Sequence, residues 1–239
     1  MRKFTIVPAL DFMDLFAMMK FIDKTKDLEE VVAYKVGFTA LNWGLPQVVK
    51  SIRKYTDKPI IYDHQKGGTD VPHTALPFAQ IMRKSGVDAA ILFPFTGAFT
   101  MIYWIEELHK HNVEPMVGGL MTHDSFLKDS DFGGLGYISF DSVINIYLNA
   151  VNNGVTSFII PLTKPGLVNR ILQAVDFGPG AKFYAPGYCN QGGDVHKFSM
   201  MDELNVIIGR RIITAEDPAA EIKSIMESWK NVETSTVNG

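Results

Sequence analysis

Along this chain, apolar residues gather in short runs that alternate with longer segments in which they return every three or four positions. Short runs rich in Val, Ile and Ala, bounded by Gly, Pro or Asp, read as buried strands of a parallel sheet. Eight such runs stand out: Thr5–Leu10, Ala33–Val36, Pro59–Tyr62, Ala89–Phe93, Glu114–Gly119, Ser157–Ile160, Lys182–Ala185 and Val206–Gly209. The segments between them carry helical spacing and punctuation. Leu167, Ile171, Leu172 and Val175 share a face, and Asp217-Pro218 offers an N-cap followed by proline at the first helical position. Ile222, Ile225, Met226 and Trp229 then form one apolar stripe, which predicts core packing.

Counted from Leu10 through Val36, Tyr62, Leu92, Gly118, Ile160 and Ala185 to Gly209, the strand ends lie 26, 26, 30, 26, 42, 25 and 24 residues apart. All but the 42-residue step fit one βα unit. Such a rhythm predicts the α/β class and a closed (β/α)8 TIM barrel rather than an open sheet. The long step holds Asp129–Gly136, a polar, Gly-rich stretch expected to decorate the loop after strand five. A length of 239 residues suits a single barrel domain over 1–239, with the polar segment 233–239 expected to fray.

Composition narrows the function. The chain is 46% hydrophobic and 21% charged, as an ordered globular protein should be, and its net charge of −3 argues against a nucleic-acid binder. A single cysteine rules out an intramolecular disulfide framework. Ala89–Ile105 carries no charge over 17 residues, but Pro94 and Gly97 interrupt it. It reads as a strand, a turn and a helix from Ala98, not as a membrane span. Asp11 and Asp14 break any secretory leader, so a cytoplasmic setting is expected.

Chemistry in a parallel barrel sits where strands end, and the residues there are charged. Strand one ends in Asp11, strand two carries Lys35, and strand three runs into Asp63-His64-Gln65-Lys66-Gly67-Gly68-Thr69-Asp70-Val71-Pro72. Strand five leads to Thr122, strand seven to Pro186-Gly187 and Gln191-Gly192-Gly193, and strand eight to Gly209-Arg210. Glycines let backbone N–H groups approach an anion, and arginine grips phosphate with two bonds. A Gly pair after strand seven with an arginine after strand eight matches the place where barrels bind phosphate; a tight turn beside a surface arginine is the plainer reading. The strand-three cluster fits either a salt-bridge network at the rim or a lysine held cationic by carboxylates and poised to donate a proton. His64, His73 and His123 match no zinc spacing, so no metal is expected. Cys189 reads as a packing residue rather than a nucleophile.

Taken together, Ala9-Leu10-Asp11, Lys35-Val36-Gly37, Asp63 with Lys66 and Asp70-Val71-Pro72, Pro186-Gly187 through Asp194, and Ile207-Ile208-Gly209-Arg210 resemble the orotidine 5′-monophosphate decarboxylase family over nearly the whole chain. The resemblance implies a cofactor-free, metal-free enzyme that converts orotidine 5′-monophosphate to UMP in pyrimidine biosynthesis. It implies that Asp11 and Thr74 contact the ribose, Lys35 bridges ribose and charge cluster, Asp63 faces the substrate carboxylate and Lys66 protonates the ring carbon. It further implies that Thr122 reads the pyrimidine, that Pro186, Gln191, Gly192, Gly193, Gly209 and Arg210 hold the phosphate, and that Asp70 and Thr74 are shared across a homodimer interface.

The chain departs from the family's Asp-x-Lys-x-x-Asp spacing, with one extra residue in each gap of Asp63-x-x-Lys66-x-x-x-Asp70. An offset of three in a straight strand would put Asp63 and Lys66 on opposite faces, so a bulge or turn is expected between them; otherwise Gln65 takes the lysine's place. Two other readings share these residues. One is a magnesium-dependent sugar-phosphate decarboxylase or synthase of the same barrel type, and the other is a non-catalytic nucleotide-binding barrel.

Overall fold

The computed structural model describes residues 3–64, 67–130, 133–188, 191–198, 201 and 203–235. Strands and helices alternate in chain order. They are β1 (Lys3–Pro8), α1 (Leu15–Thr25), β2 (Tyr34–Val36), α2 (Leu45–Ile52), β3 (Ile60–Asp63), α3 (Ala75–Ser85), β4 (Ala89–Leu92) and α4 (Ala98–Lys110). Next come β5 (Glu114–Gly118), α5 (Phe140–Asn152), β6 (Ser157–Ile159), α6 (Pro165–Ala174), β7 (Lys182–Pro186), β8 (Glu203–Ile208), α7 (Arg210–Ile213) and α8 (Pro218–Ser235). All eight strands pair in parallel, in the order β1-β8-β7-β6-β5-β4-β3-β2. Bridges Ile6↔Val31 and Ala9↔Lys35 bring β1 against β2. The Leu10 N–H donates to the Lys35 carbonyl at 2.8 Å, so the sheet rolls up into the expected TIM barrel.

Two shells of apolar side chains follow from the two-residue period of each strand. Val7, Ala9, Ala33, Ile61, Ile91, Met116, Ile159 and Ile207 fill the inside of the barrel. Their neighbours Ile6, Tyr34, Ile60, Tyr62, Ala90, Val117, Phe158 and Val206 face the helices. Near the bottom the interior is polar: Thr5 Oγ1 donates to Asn205 Oδ1 at 2.7 Å, and Ser157 Oγ donates to Glu114 Oε1. Burial, with Glu114 nearby, raises the Tyr184 hydroxyl above its ordinary pKa.

The helices are anchored as their sequences direct. Asp14 Oδ1 caps α1 by accepting from Phe16 N at 2.8 Å, and Asp217 Oδ1 caps α8 by accepting from Ala219 N at 3.0 Å. A cap is worth about 1 kcal/mol. Burial of Ile222, Ile225 and Trp229 in the α8 stripe contributes about 1.5–3 kcal/mol per side chain and so dominates the docking of that helix.

Several expected boundaries shift. β8 begins at Glu203, three residues before Val206, because its first residues pair with Lys3 and Phe4 of β1. The tail expected to fray from 233 is helical through Ser235, as α8 continues beyond the last side chain of its stripe. The uncharged stretch 89–105 divides into β4, a turn and α4, and no helix among the described residues is long and apolar enough to cross a membrane.

Candidate active site

The same two-residue period that builds the inner shell also places charge at its top. Lys35 follows Ala33 by two positions and Asp63 follows Ile61 by two, so both point inward, one layer above the apolar core. Lys35 Nζ donates to Asp63 Oδ2 at 2.9 Å, with side chains only 8% and 16% exposed. Burying such a pair gains little net stability, but deleting one partner leaves an uncompensated charge at a cost of about 3–5 kcal/mol. Asp11, just past β1, turns its carboxylate to the same rim. A Cβ on Gly37 would lie 3.0 Å from Asp11 Oδ1, so the carboxylate occupies space that a side chain at 37 would take.

These groups line one side of a mouth cavity of about 360 Å³. Thr122 and Leu120 line its wall after β5, and Pro186, Gly187, Tyr188 and Gln191 come from the loop after β7. Gly209, Arg210 and Arg211 close it from the end of β8. Lys35, Asp63 and Asp11 therefore share one cavity with Gln191 and Arg210, with Asp11 on the β8 side, where its Oδ2 would lie 3.6 Å from a Cβ on Gly209.

The described part of the loop after β7 is tightly built. Gly187 has φ 109°, a conformation that favours glycine, and its carbonyl accepts from Gly193 N at 3.0 Å. The Gly193 N–H, expected to meet a phosphate, is thus engaged inside the loop. Gly193 is small for a packing reason: a Cβ there would lie 2.5 Å from the Gly187 oxygen and 2.6 Å from Leu162 Cβ. Neither Gly192 nor Gly193 lines the cavity.

Asp70 and Thr74 also lie away from this cavity. Asp70 is exposed and accepts from Val71 N at 2.7 Å, while Thr74 Oγ1 donates to the Val71 carbonyl at 2.7 Å. Both line a second, mostly apolar cavity of about 660 Å³ together with Leu41, Phe78 and Trp104. Lys66, Gln65 and Cys189 lie outside the described residues, and with them the bulge expected after Asp63. His64 shares a 2.7 Å hydrogen bond with the Tyr62 hydroxyl through Nδ1, and His123 packs edge-on against Phe126. Among the described residues no three His, Cys, Asp or Glu side chains cluster as metal ligands.

Comparison with known proteins puts this arrangement in context. Residues 5–225 match the family described as orotidine 5′-phosphate decarboxylase / HUMPS. The chain belongs to that family. It is 26% identical over 228 residues to an orotidine 5′-phosphate decarboxylase from Methanosphaera stadtmanae, covering 94% of this chain and 97% of the relative. Identity to the Pyrococcus abyssi enzyme of the same name is 27% over 224 residues, covering 93% and 97%. In structure it is similar to the orotidine 5′-monophosphate decarboxylase of Methanocaldococcus jannaschii complexed with the inhibitor BMP. The TM-score there is 0.79 at 25% identity, over 95% of this chain and 98% of that one.

Several lining residues of this family member escape a reading of strand-end charges. Ile91, Phe93, Met121, Ile159 and Ile207 supply an apolar floor. Except for Met121, which lies past the end of β5, their signal lies in the same two-residue alternation that sets Lys35 and Asp63 inward. Tyr188 and Arg211 also reach the cavity. Arg211 was legible only as the neighbour of Arg210, and Tyr188 only as a residue of a glycine-rich loop.

Proposed function

We propose that this chain is an orotidine 5′-phosphate decarboxylase that converts orotidine 5′-monophosphate to UMP and carbon dioxide in pyrimidine biosynthesis, with no cofactor or metal. The observation that carries this reading is the buried Lys35–Asp63 pair at 2.9 Å, set across one cavity from Gln191 and Arg210. A nucleotide fits such a division: the phosphate against Arg210 and Gln191, the base on the apolar floor, and the reacting carbon beside the charges.

Departure of carbon dioxide leaves the bonding pair on the ring carbon, with no adjacent π system to delocalise it. Fixed charge in a water-poor site supplies the missing stabilisation. Asp63 stands against the substrate carboxylate, and Lys35 holds Asp63 in place while meeting the ribose. The Lys66 ammonium then delivers a proton to the carbanion, so the products are neutral carbon dioxide and a protonated ring. Asp11 and Thr122 contact the ribose and base. Each tenfold in rate requires about 1.4 kcal/mol, and phosphate binding remote from the reacting bond can supply part of it. The exposure of Asp70, and its position with Thr74 outside the mouth cavity, supports a homodimer in which both enter the partner's site.

Absorbance loss of the orotate chromophore tests the reading. The wild type should turn over orotidine 5′-monophosphate in the presence of EDTA, and Lys66→Ala should lose about 10⁴-fold in kcat, the upper range for a positioned proton donor. Binding of UMP without any turnover by the wild type would instead establish a nucleotide-binding barrel. Activity lost to EDTA and restored by magnesium would establish the metal-dependent sugar-phosphate chemistry.

A further inference from the structure

The two walls of the cavity assigned to phosphate are tied to the same distant helix, and nothing in the decarboxylation chemistry requires that helix. Tyr188 belongs to the loop after β7, where it forms a bridge with Gly193 and so closes the segment that carries Gln191. Its hydroxyl accepts from Trp229 Nε1 at 3.0 Å. The two rings meet edge to face, with centroids 5.2 Å apart and planes at 88°. On the other wall, Arg211 follows Arg210 at the end of β8. Arg211 Nε donates to Glu221 Oε1 at 2.6 Å, and its guanidinium lies 5.7 Å from the centre of the Tyr188 ring. Trp229 and Glu221 both belong to α8, eight residues apart, about two turns along the helix.

We propose that α8 is a brace for the phosphate grip, with Trp229 and Glu221 as positioning residues that set the separation of the Gln191 loop and Arg210 through Tyr188 and Arg211. The inference rests on the assignment of this end of the cavity to phosphate. The physical case has two parts. First, a grip on a tetrahedral dianion tolerates little error in donor placement, and short loops alone hold donors less precisely than packed elements do. Second, Trp229 is only 2% exposed and packed in the core, so its N–H is a fixed point from which the Tyr188 hydroxyl is held. An exposed ion pair such as Arg211–Glu221 adds little to global stability. Its effect is therefore expected in the placement of the α7 end and not in the melting temperature.

The test measures the preference for UMP over uridine by titration calorimetry in wild type, Tyr188→Phe and Trp229→Phe. Each substitution removes one partner of the hydrogen bond and keeps an aromatic ring. Each should reduce the UMP-over-uridine preference by about tenfold. The double variant should lose no more than either single one, because they break the same bond. Glu221→Gln should reduce the preference by about threefold. An unchanged preference in Tyr188→Phe, whose ring is only half-buried, would overturn the brace even if Trp229→Phe fails to fold. A wild type with no preference for UMP would instead overturn the phosphate assignment itself, and decarboxylation of orotidine 5′-monophosphate is read separately by absorbance.

Discussion

The loop after β7 and the segment after β3 both carry residues implied in substrate contact, yet they are built in opposite ways. Among its described residues, the β7 loop is held by contacts within the chain. Gly187 and Gly193 bond to each other, Leu162 packs against them, and Trp229 holds Tyr188. The β3 segment leaves Asp70 exposed and Thr74 half-buried, and both hydrogen-bond to the Val71 backbone. One segment is completed by contacts within a single chain, whereas the other leaves an exposed carboxylate at the surface. A loop can be completed locally by packing, whereas an exposed carboxylate would serve a site only if, as proposed, a second chain brings one to it.

The largest effect that would sharpen this contrast comes from mixing two inactive variants, Lys66→Ala and Asp70→Ala. If Asp70 acts in the partner's site, equal mixing after subunit exchange restores about a quarter of wild-type activity, because half of the dimers carry one intact site of two. No recovery, with exchange confirmed by mass spectrometry, would place Asp70 in its own chain's site and break the comparison. Next in size is Arg210→Ala. Two charged hydrogen bonds lost from the phosphate should lower kcat/KM by about 10²–10³-fold. Mixing this variant with Asp70→Ala should again restore activity. The smallest effect is on stability. Gly193→Ala forces a Cβ against the Gly187 carbonyl and should lower the unfolding free energy by about 1–3 kcal/mol, read from the urea midpoint at constant slope. Gly166→Ala, where nothing lies within 4 Å of the added carbon, is the control and should stay within about 0.5 kcal/mol. Equal midpoints for the two would mean that the β7 loop is not the rigid end described.

Much of the barrel could be read from periodicity because each βα unit repeats one local pattern, and the strand rhythm found all eight strands to within a few residues. Lys35 and Asp63 were legible for a similar reason. Each lies two positions from an inward apolar neighbour, and adjacent strand ends place them side by side. That the Gly193 N–H bonds to Gly187 was not legible, because glycine composition announces a tight loop without saying which N–H the loop engages itself. The early start of β8 was missed because Glu203 and Asn205 look like loop residues, although Asn205 in fact bonds to Thr5 inside the barrel.

By itself the sequence determined the alternation of strands and helices, the inward parity of the charged layer and the order of the chemistry-bearing loops around the mouth. Those properties are set by neighbours a few positions away, which is the range over which a two-residue or 3.6-residue period acts. Only the tertiary structure decided that Trp229 would meet Tyr188 across 41 residues and that Glu221 would meet Arg211. Such contacts depend on how whole elements pack against one another, and no local spacing encodes the angle at which a helix settles on a barrel.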